Sequence, residues 1–285
     1  MSCAVCQEEL TSITGLRVHP GCETSPDLLA MELFQLIEAD IIGQPRSQQT
    51  RIGPSELGVP CDRRIGYQLA GVSKSNDRGA AWKPYVGTAV HEVMANLMAK
   101  AEVAQWNDPA HSERFKVEER VDVGEIAGTT ITGSCDLFDV HHGAVWDWKF
   151  TTRNKIRETY RPHGPGDQYR IQSHLYGRGW QRAGFDVRTV GVIFLTRDGE
   201  FTDRHVWHEP YDEQVAIAAL DRAGSIASAL DALGAEFTIP TLPTADNYCN
   251  YCPWFRDRAP QIAQACPGHP KKAAQPKTLT QLIGA

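Results

Sequence analysis

Apolar residues recur at helical spacing in the first long segment of the chain. Leu28, Leu29, Met31, Leu33, Phe34, Ile37 and Ile41 follow Ser25-Pro26-Asp27, where Ser25 reads as a cap and Pro26 as a first-turn residue, and Gly43 closes the run. Residues 44–60 read as loop. The spacing predicts a second helix from about Pro84 to Val103, with Val86, Val90, Val93, Met94, Leu97 and Met98 on its apolar face. Over residues 115–150 the period shortens. Val117, Val121, Val123, Ile126, Ile131, Leu137, Phe138, Val140, Val145 and Trp146, broken by Gly128, Gly133 and Gly143, predict three or four short antiparallel strands. After Gly164-Pro165-Gly166 comes a helix from about Asp167 to Ala183, stopped by Gly184. Val187–Thr196 reads as a strand, Arg197-Asp198-Gly199 as a turn into a further strand through Trp207, and Asp212–Leu233 as an Ala-rich helix. Pro240 and Pro243 open an irregular C-terminal region, and no internal repeat is visible. The expected class is α/β, with a mixed sheet flanked by helices.

A chain of 285 residues allows one large domain with additions or two small ones. Hydrophobic residues make up 41% and charged residues 22%, enough apolar material for a sizeable core. No apolar run approaches the ~20 residues that span a bilayer, and the N-terminus has no secretory pattern, so the expected compartment is the cytosol. The net charge of -6 counts mildly against a non-specific polyanion binder. Its distribution qualifies that. Lys149, Arg153, Lys155, Arg157, Arg161, Arg170, Arg178 and Arg182 face only Glu158 and Asp167 in the same stretch, which suits a phosphate-holding groove or a solvated helix face.

The strongest local signal is Gly133-Ser134-Cys135-Asp136 followed by Val145-Trp146-Asp147-Trp148-Lys149. A two-residue turn at His142-Gly143 would pair His141 with Ala144 and set Asp136 opposite Lys149. Strand alternation then puts Asp136, Asp147 and Lys149 on one face and Trp146, Trp148 and Phe150 on the other. Two carboxylates suit a hard divalent cation, Mg²⁺ or Mn²⁺, and an ammonium beside it can offset charge on a phosphate. Cys135, next in sequence to Asp136, is expected to point into the core. A solvated surface hairpin is the plainer reading of the same residues.

These motifs resemble the RecB-like branch of the PD-(D/E)xK nucleases. Gly87-Thr88-Ala89-Val90-His91 matches that branch's upstream Gly-x-x-x-His, and Gln172-Ser173-His174-Leu175-Tyr176 its downstream Gln-x-x-x-Tyr, in the family's order over roughly residues 80–185. The resemblance implies a metal held by His91, Asp136, Asp147 and the Trp148 backbone carbonyl, with Lys149 catalytic. It implies that Gln172 and Tyr176 contact the DNA backbone or support Lys149. Glu118, just upstream, could reach the site but reads more simply as a surface strand residue. The implied activity is exonucleolytic hydrolysis of DNA ends or single strands in recombination, replication or repair of phage or bacterial DNA. A recombination or replication protein is a candidate partner. A CRISPR-adaptation nuclease and a non-catalytic nucleic-acid-binding protein that keeps the fold are the alternatives.

Eight cysteines in a chain expected in the cytosol point to metal before disulfides. Cys61 with Cys249, Cys252 and Cys266 resembles the one-plus-three layout of the iron–sulfur nucleases, which include CRISPR-associated exonucleases and the AddB nuclease domain. That implies a 4Fe–4S cluster stapling the chain's ends around the core. The 13 residues between Cys252 and Cys266 exceed the usual spacing, so a Cys₄ zinc site and unligated thiols stay open as alternatives. Cys3-x-x-Cys6 and His19-x-x-Cys22 have the spacing of a Zn²⁺ knuckle, with idle thiols in a disordered terminus as the alternative. The expected organisation is a zinc knuckle at 1–23, a nuclease domain at 24–266 closed by Cys61 and Cys249–Cys266, and a flexible tail at 267–285.

Overall fold

The computed structural model describes residues 26–44, 51–76, 79, 81–103, 112–245 and 249–270. The expected zinc ligands Cys3, Cys6, His19 and Cys22 lie outside the described residues, as does most of the tail. The chain divides into a smaller unit, residues 1–49 and 78–86, and a larger one, residues 50–77 and 87–285.

The smaller unit contains α1 (Pro26–Gly43) and the start of α4 (Trp82–Val103). Helix α1 has the predicted extent, but its apolar residues do not form a buried face. Ile41 is buried, whereas Met31, Leu33, Phe34, Leu36, Ile37 and Ile42 are exposed. These side chains wrap around the helix instead of lining one stripe, so one packed face cannot cover them.

The larger unit is built on a five-stranded mixed sheet in the order β1-β2-β3-β4-β5. Strands β1 (Phe115–Ile126), β2 (Thr129–Asp139) and β3 (Ala144–Thr151) are antiparallel neighbours. Ala127 and Gly128 join β1 to β2, both with positive φ, as a twist-matched two-residue hairpin turn requires. Strand β4 (Thr189–Thr196) runs parallel to β3, and β5 (His205–Pro210) antiparallel to β4. A parallel neighbour needs a crossover. Here α5 (Arg153–Lys155), a π-helical turn (Ile156–Tyr160), α6 (Arg161–His163) and α7 (Asp167–Arg182) supply it. Helix α8 (Glu213–Leu233), with Asp212 capping its start through the Gln214 amide, packs with α7 against β1. The short α9 (Ala235–Thr238) follows.

The main core lies between this helical pair and the sheet. Leu175, Tyr176, Trp180, Ala216, Leu220 and Ala223 meet Val121, Val123, Phe138, Val145 and Val190. Phe138 stacks on Trp180 at 4.7 Å between ring centroids, and Cys135 is fully buried in the same cluster.

Two short helices fall where the sequence pattern predicts none: α2 (Pro54–Leu57) and α3 (Asp62–Leu69). In α3 the apolar residues are Ile65, Tyr67 and Leu69, two apart, with Gly66 in the interior. Ile65 and Leu69 do share one helical face, but eight residues with an interior glycine are too short a run for that period to stand out. Packing supplies the stability, because a Cβ at Gly66 would lie 2.4 Å from a Leu242 methyl. On α4 the expected stripe is offset. Val93 and Leu97 are exposed, while Val90, His91, Met94 and Met98 form a half-buried face.

Candidate active site

The β2–β3 connection is a four-residue loop, Val140–Gly143, and the ladder pairs Leu137 with Trp146, Phe138 with Val145 and Asp139 with Ala144. This corrects the expected two-residue turn. The true register is displaced by two, so Asp136 falls opposite Asp147, not Lys149. A shift of two preserves side-chain parity, so the acids still share a face. The ladder stops at Leu137–Trp146, where the Asp136 side chain takes over: its Oδ2 accepts the Trp148 amide at 2.8 Å. In an extended strand the N–H and C=O of a residue point to the same edge. The Trp148 carbonyl therefore faces this gap as well.

Asp147 is 2% exposed. Its Oδ1 accepts from Gln172 Nε2 at 3.0 Å, and Lys149 Nζ lies 2.5 Å from its Oδ2, an atom that receives no well-directed hydrogen bond. Burial, together with the charge of Asp136, pushes the Asp147 carboxyl up to about 6, with Lys149 opposing. Burial acts in the same direction on Asp136, but His91, Lys149 and the Trp148 amide outweigh it and hold this carboxyl below its ordinary value. Burial would lower the pKa of Lys149, yet Asp147 and Asp136 keep it raised and the amine charged. Its Nζ sits 5.1 Å from the ring of Tyr169, a phenol that burial pushes up to about 12.

From α4, His91 Nδ1 approaches Asp136 Oδ2 at 3.3 Å and Glu118 Oε1 at 3.9 Å. Burial works against a charged imidazole, but hydrogen bonding to Asp136 and its charge prevail and raise the His91 pKa. Ligand atoms of His91, Glu118 and Asp136 all lie within 4.8 Å of one another, the one such trio of His, Cys, Asp or Glu among the described residues. An imidazole and two carboxylates are a donor set that fits Mn²⁺ or Mg²⁺.

Gln172 and Tyr176 are both buried, one turn apart on α7. Gln172 supports Asp147, not Lys149. Tyr176 lies beneath Gly133, where an added Cβ would come within 3.0 Å of its ring. Neither side chain is presented to solvent for a DNA backbone.

Sequence reasoning undervalued Glu118, and the basic stretch after Lys149 is largely neutralised by acids from elsewhere in the chain. Arg153 pairs with Asp203, Arg170 with Glu209, Arg178 with Glu213 and Arg182 with Asp122.

A second constellation lies in the C-terminal region. Cys61, Cys249, Cys252 and Cys266 all line one cavity, with Arg64, Tyr67, Phe255 and His269. All four are free thiols, and burial raises the Cys252 pKa. Tyr67 stacks on Trp254 and its hydroxyl donates to the Ile262 carbonyl, while Trp254 Nε1 donates to the Val72 carbonyl at 2.8 Å. Residues 61–76 and 249–268 are thus tied into one knot. The thiolate donor set suits either zinc or an iron–sulfur cluster.

No protein-family model and no curated protein matches the chain. Among solved structures, the crystal structure of SSO0001 is similar at 16% identity and a TM-score of 0.43, over 79% of this chain and 94% of that one. An alkaline exonuclease (LHK-Exo) from Laribacter hongkongensis is similar at 11% identity and a TM-score of 0.35, over 62% and 90%. A phage-related exonuclease from Haemophilus somnus 129PT is similar at 14% identity and a TM-score of 0.29, over 48% and 68%. Similarities this low leave function to the residues themselves.

Proposed function

We propose that this chain is a Mg²⁺- or Mn²⁺-dependent deoxyribonuclease of the RecB-like PD-(D/E)xK type, acting as an exonuclease on DNA ends or single strands. The observation that carries the reading is the convergence of Asp136, Asp147, Lys149 and His91, from β2, β3 and α4, on the gap where the β2–β3 ladder ends. His91, Asp136, Asp147 and the Trp148 carbonyl would hold the cation. When bound, it polarises the scissile phosphate and lowers the pKa of a water. Lys149 holds its proton and places positive charge where the phosphate gains negative charge. Gln172 fixes the Asp147 carboxylate, and Tyr176 packs behind Gly133.

For the cysteine cavity we favour a 4Fe–4S cluster over zinc. The four sulfurs contain no trio within 4.8 Å. Sulfurs around a tetrahedral zinc would lie roughly 4 Å apart, given Zn–S bonds of about 2.3 Å. The reading extends to a role in recombination, replication or repair of phage or bacterial DNA.

The test is digestion of end-labelled single- and double-stranded oligonucleotides with Mn²⁺, set against Asp147→Ala. Cleavage by the wild type alone, releasing products progressively from an end, supports the proposal. A wild-type protein that binds DNA but never cleaves it favours a binding protein. Iron and sulfide analysis of anaerobically prepared protein tests the cluster; a colourless protein carrying one zinc per Cys61 site refutes it.

A further inference from the structure

The trio beside Asp147 contains a residue the nuclease reading does not use. Glu118 adopts φ +52, in the left-handed region that side chains other than glycine seldom occupy. The β1–β2 ladder pairs Val117 with Leu137 and Glu119 with Cys135, so the same register sets Glu118 opposite Asp136. Ser134 Oγ donates to Glu118 Oε2 at 2.9 Å and lies 3.0 Å from the Glu118 carbonyl oxygen, holding both backbone and carboxylate. With Oε2 engaged, Oε1 is turned towards His91 Nδ1. A backbone conformation seldom adopted by side chains other than glycine is thereby held with its carboxylate beside an imidazole and a second carboxylate.

A further carboxylate adds negative charge at this place. Asp147, almost completely buried, lies next to Asp136 in the β2–β3 register, and its Oδ2 pairs with Lys149 Nζ at 2.5 Å. Four anionic or lone-pair donors therefore border one gap, and Lys149 is the cation set against them.

We infer that Glu118 is a protein ligand of the divalent cation, together with His91 and Asp136. Ser134 is the positioning residue that orients it. This deepens the nuclease reading and rests on the site being a cation centre. It has a mechanical consequence. Helix α4 is tied to the sheet at its far end by buried Glu102, which accepts the Arg114 and Phe115 amides, and near its middle by His91. A cation shared by His91 on α4, Glu118 on β1 and Asp136 on β2 would clamp the helix to both strands.

The experiment is Mn²⁺ titration calorimetry without DNA on the full chain, with hydrogen exchange of α4 followed with and without Mn²⁺. Wild type, E118Q, S134A and D136N are compared. Glu118 has a side chain 38% exposed, so E118Q leaves the core intact. The expected result is Mn²⁺ affinity at least tenfold weaker in E118Q, a smaller loss in S134A, and Mn²⁺-induced protection of α4 lost in E118Q. Should E118Q bind Mn²⁺ within twofold of wild type while D136N does not, Glu118 is not a ligand and the nuclease reading stands. Should D136N also bind like wild type, the cation centre itself is misplaced and both readings fall.

Discussion

Replacing Gln172 with alanine isolates the contribution of one buried hydrogen bond to the site. Gln172 Nε2 donates to Asp147 Oδ1, and Asp147 is too deeply buried for bulk water to take over that role. A hydrogen bond to a charged group contributes about 1.5–3 kcal/mol, and its loss falls on the ionised form of the carboxyl. The acid is already pushed up to about 6 by burial, so the variant should hold its proton to still higher pH. A cation competes with that proton. At about 1.4 kcal/mol per factor of ten, the carboxyl holds its proton roughly 10- to 150-fold more tightly. Because wild-type Asp147 is already mostly ionised near pH 7, Mn²⁺ binding weakens there by roughly 2- to 15-fold and approaches the full factor only below pH 6. The assay is Mn²⁺ affinity and initial cleavage rate between pH 5.5 and 8.5 at sub-saturating metal. Wild-type cleavage should rise with pH as Asp147 gives up its proton, and Q172A should rise later and recover at high metal. Binding and pH profile within twofold of wild type would refute the assignment of Gln172 as the Asp147 support.

Further outcomes follow from other parts of the fold. His174 is fully buried, with Nδ1 accepting the Asp212 amide and Nε2 against Glu209, and burial lowers its pKa. The unfolded chain therefore takes up the proton first as pH falls. This contribution is complete above the ordinary histidine range and is lost on acidification through and below it. Thermal melts of His174→Asn should show a flatter decline between about pH 7 and pH 5 than wild type. Gly143 sits at φ +60, a Cβ there would overlap the Asp186 carbonyl, and its own carbonyl accepts the Arg188 amide at 2.8 Å. Gly143→Ala should cost about 2–4 kcal/mol in a denaturant titration. On the proposed cluster assignment, Cys252→Ser should abolish iron binding and lower the melting temperature, while Cys135→Ser, a buried thiol outside the cavity, should leave iron content unchanged.

The long elements were legible because their apolar residues follow one period. The three-strand meander, α7 and α8 all fall close to where residue spacing places them. Residues in the β2–β3 hairpin were also legible as a set, but not their register. Turn chemistry suggested a tight turn at His142-Gly143, whereas the loop includes Val140 and His141. Asp139 explains why the chain takes the longer route: it accepts the His142 amide and is held by Arg114, a residue from outside the hairpin. The partner that sets the turn is thus distant in sequence. The same holds for the charges after Lys149, whose neutralising acids come from β1, β5 and the segments flanking it.

Glu118 shows the same limit more sharply. Counting back from the Ala127-Gly128 turn, an uninterrupted hairpin would place Asp136 opposite Glu119 and turn Glu118 to the other face. The ladder slips by one between Asp122 and Gly124, where Gly124 has φ +140. One extra residue on β1 reverses the face of every side chain beyond it. The bulge is fixed by tertiary packing: the Gly124 amide donates to Asp122 Oδ1, Arg182 of α7 holds Asp122, and Arg178 of α7 bonds the Val123 carbonyl. A helix some 60 residues downstream therefore decides which acid of the Glu118-Glu119 pair faces the gap. The motif spacing fixes the Asp147-x-Lys149 end of the site, and the α7–β1 contact fixes the other.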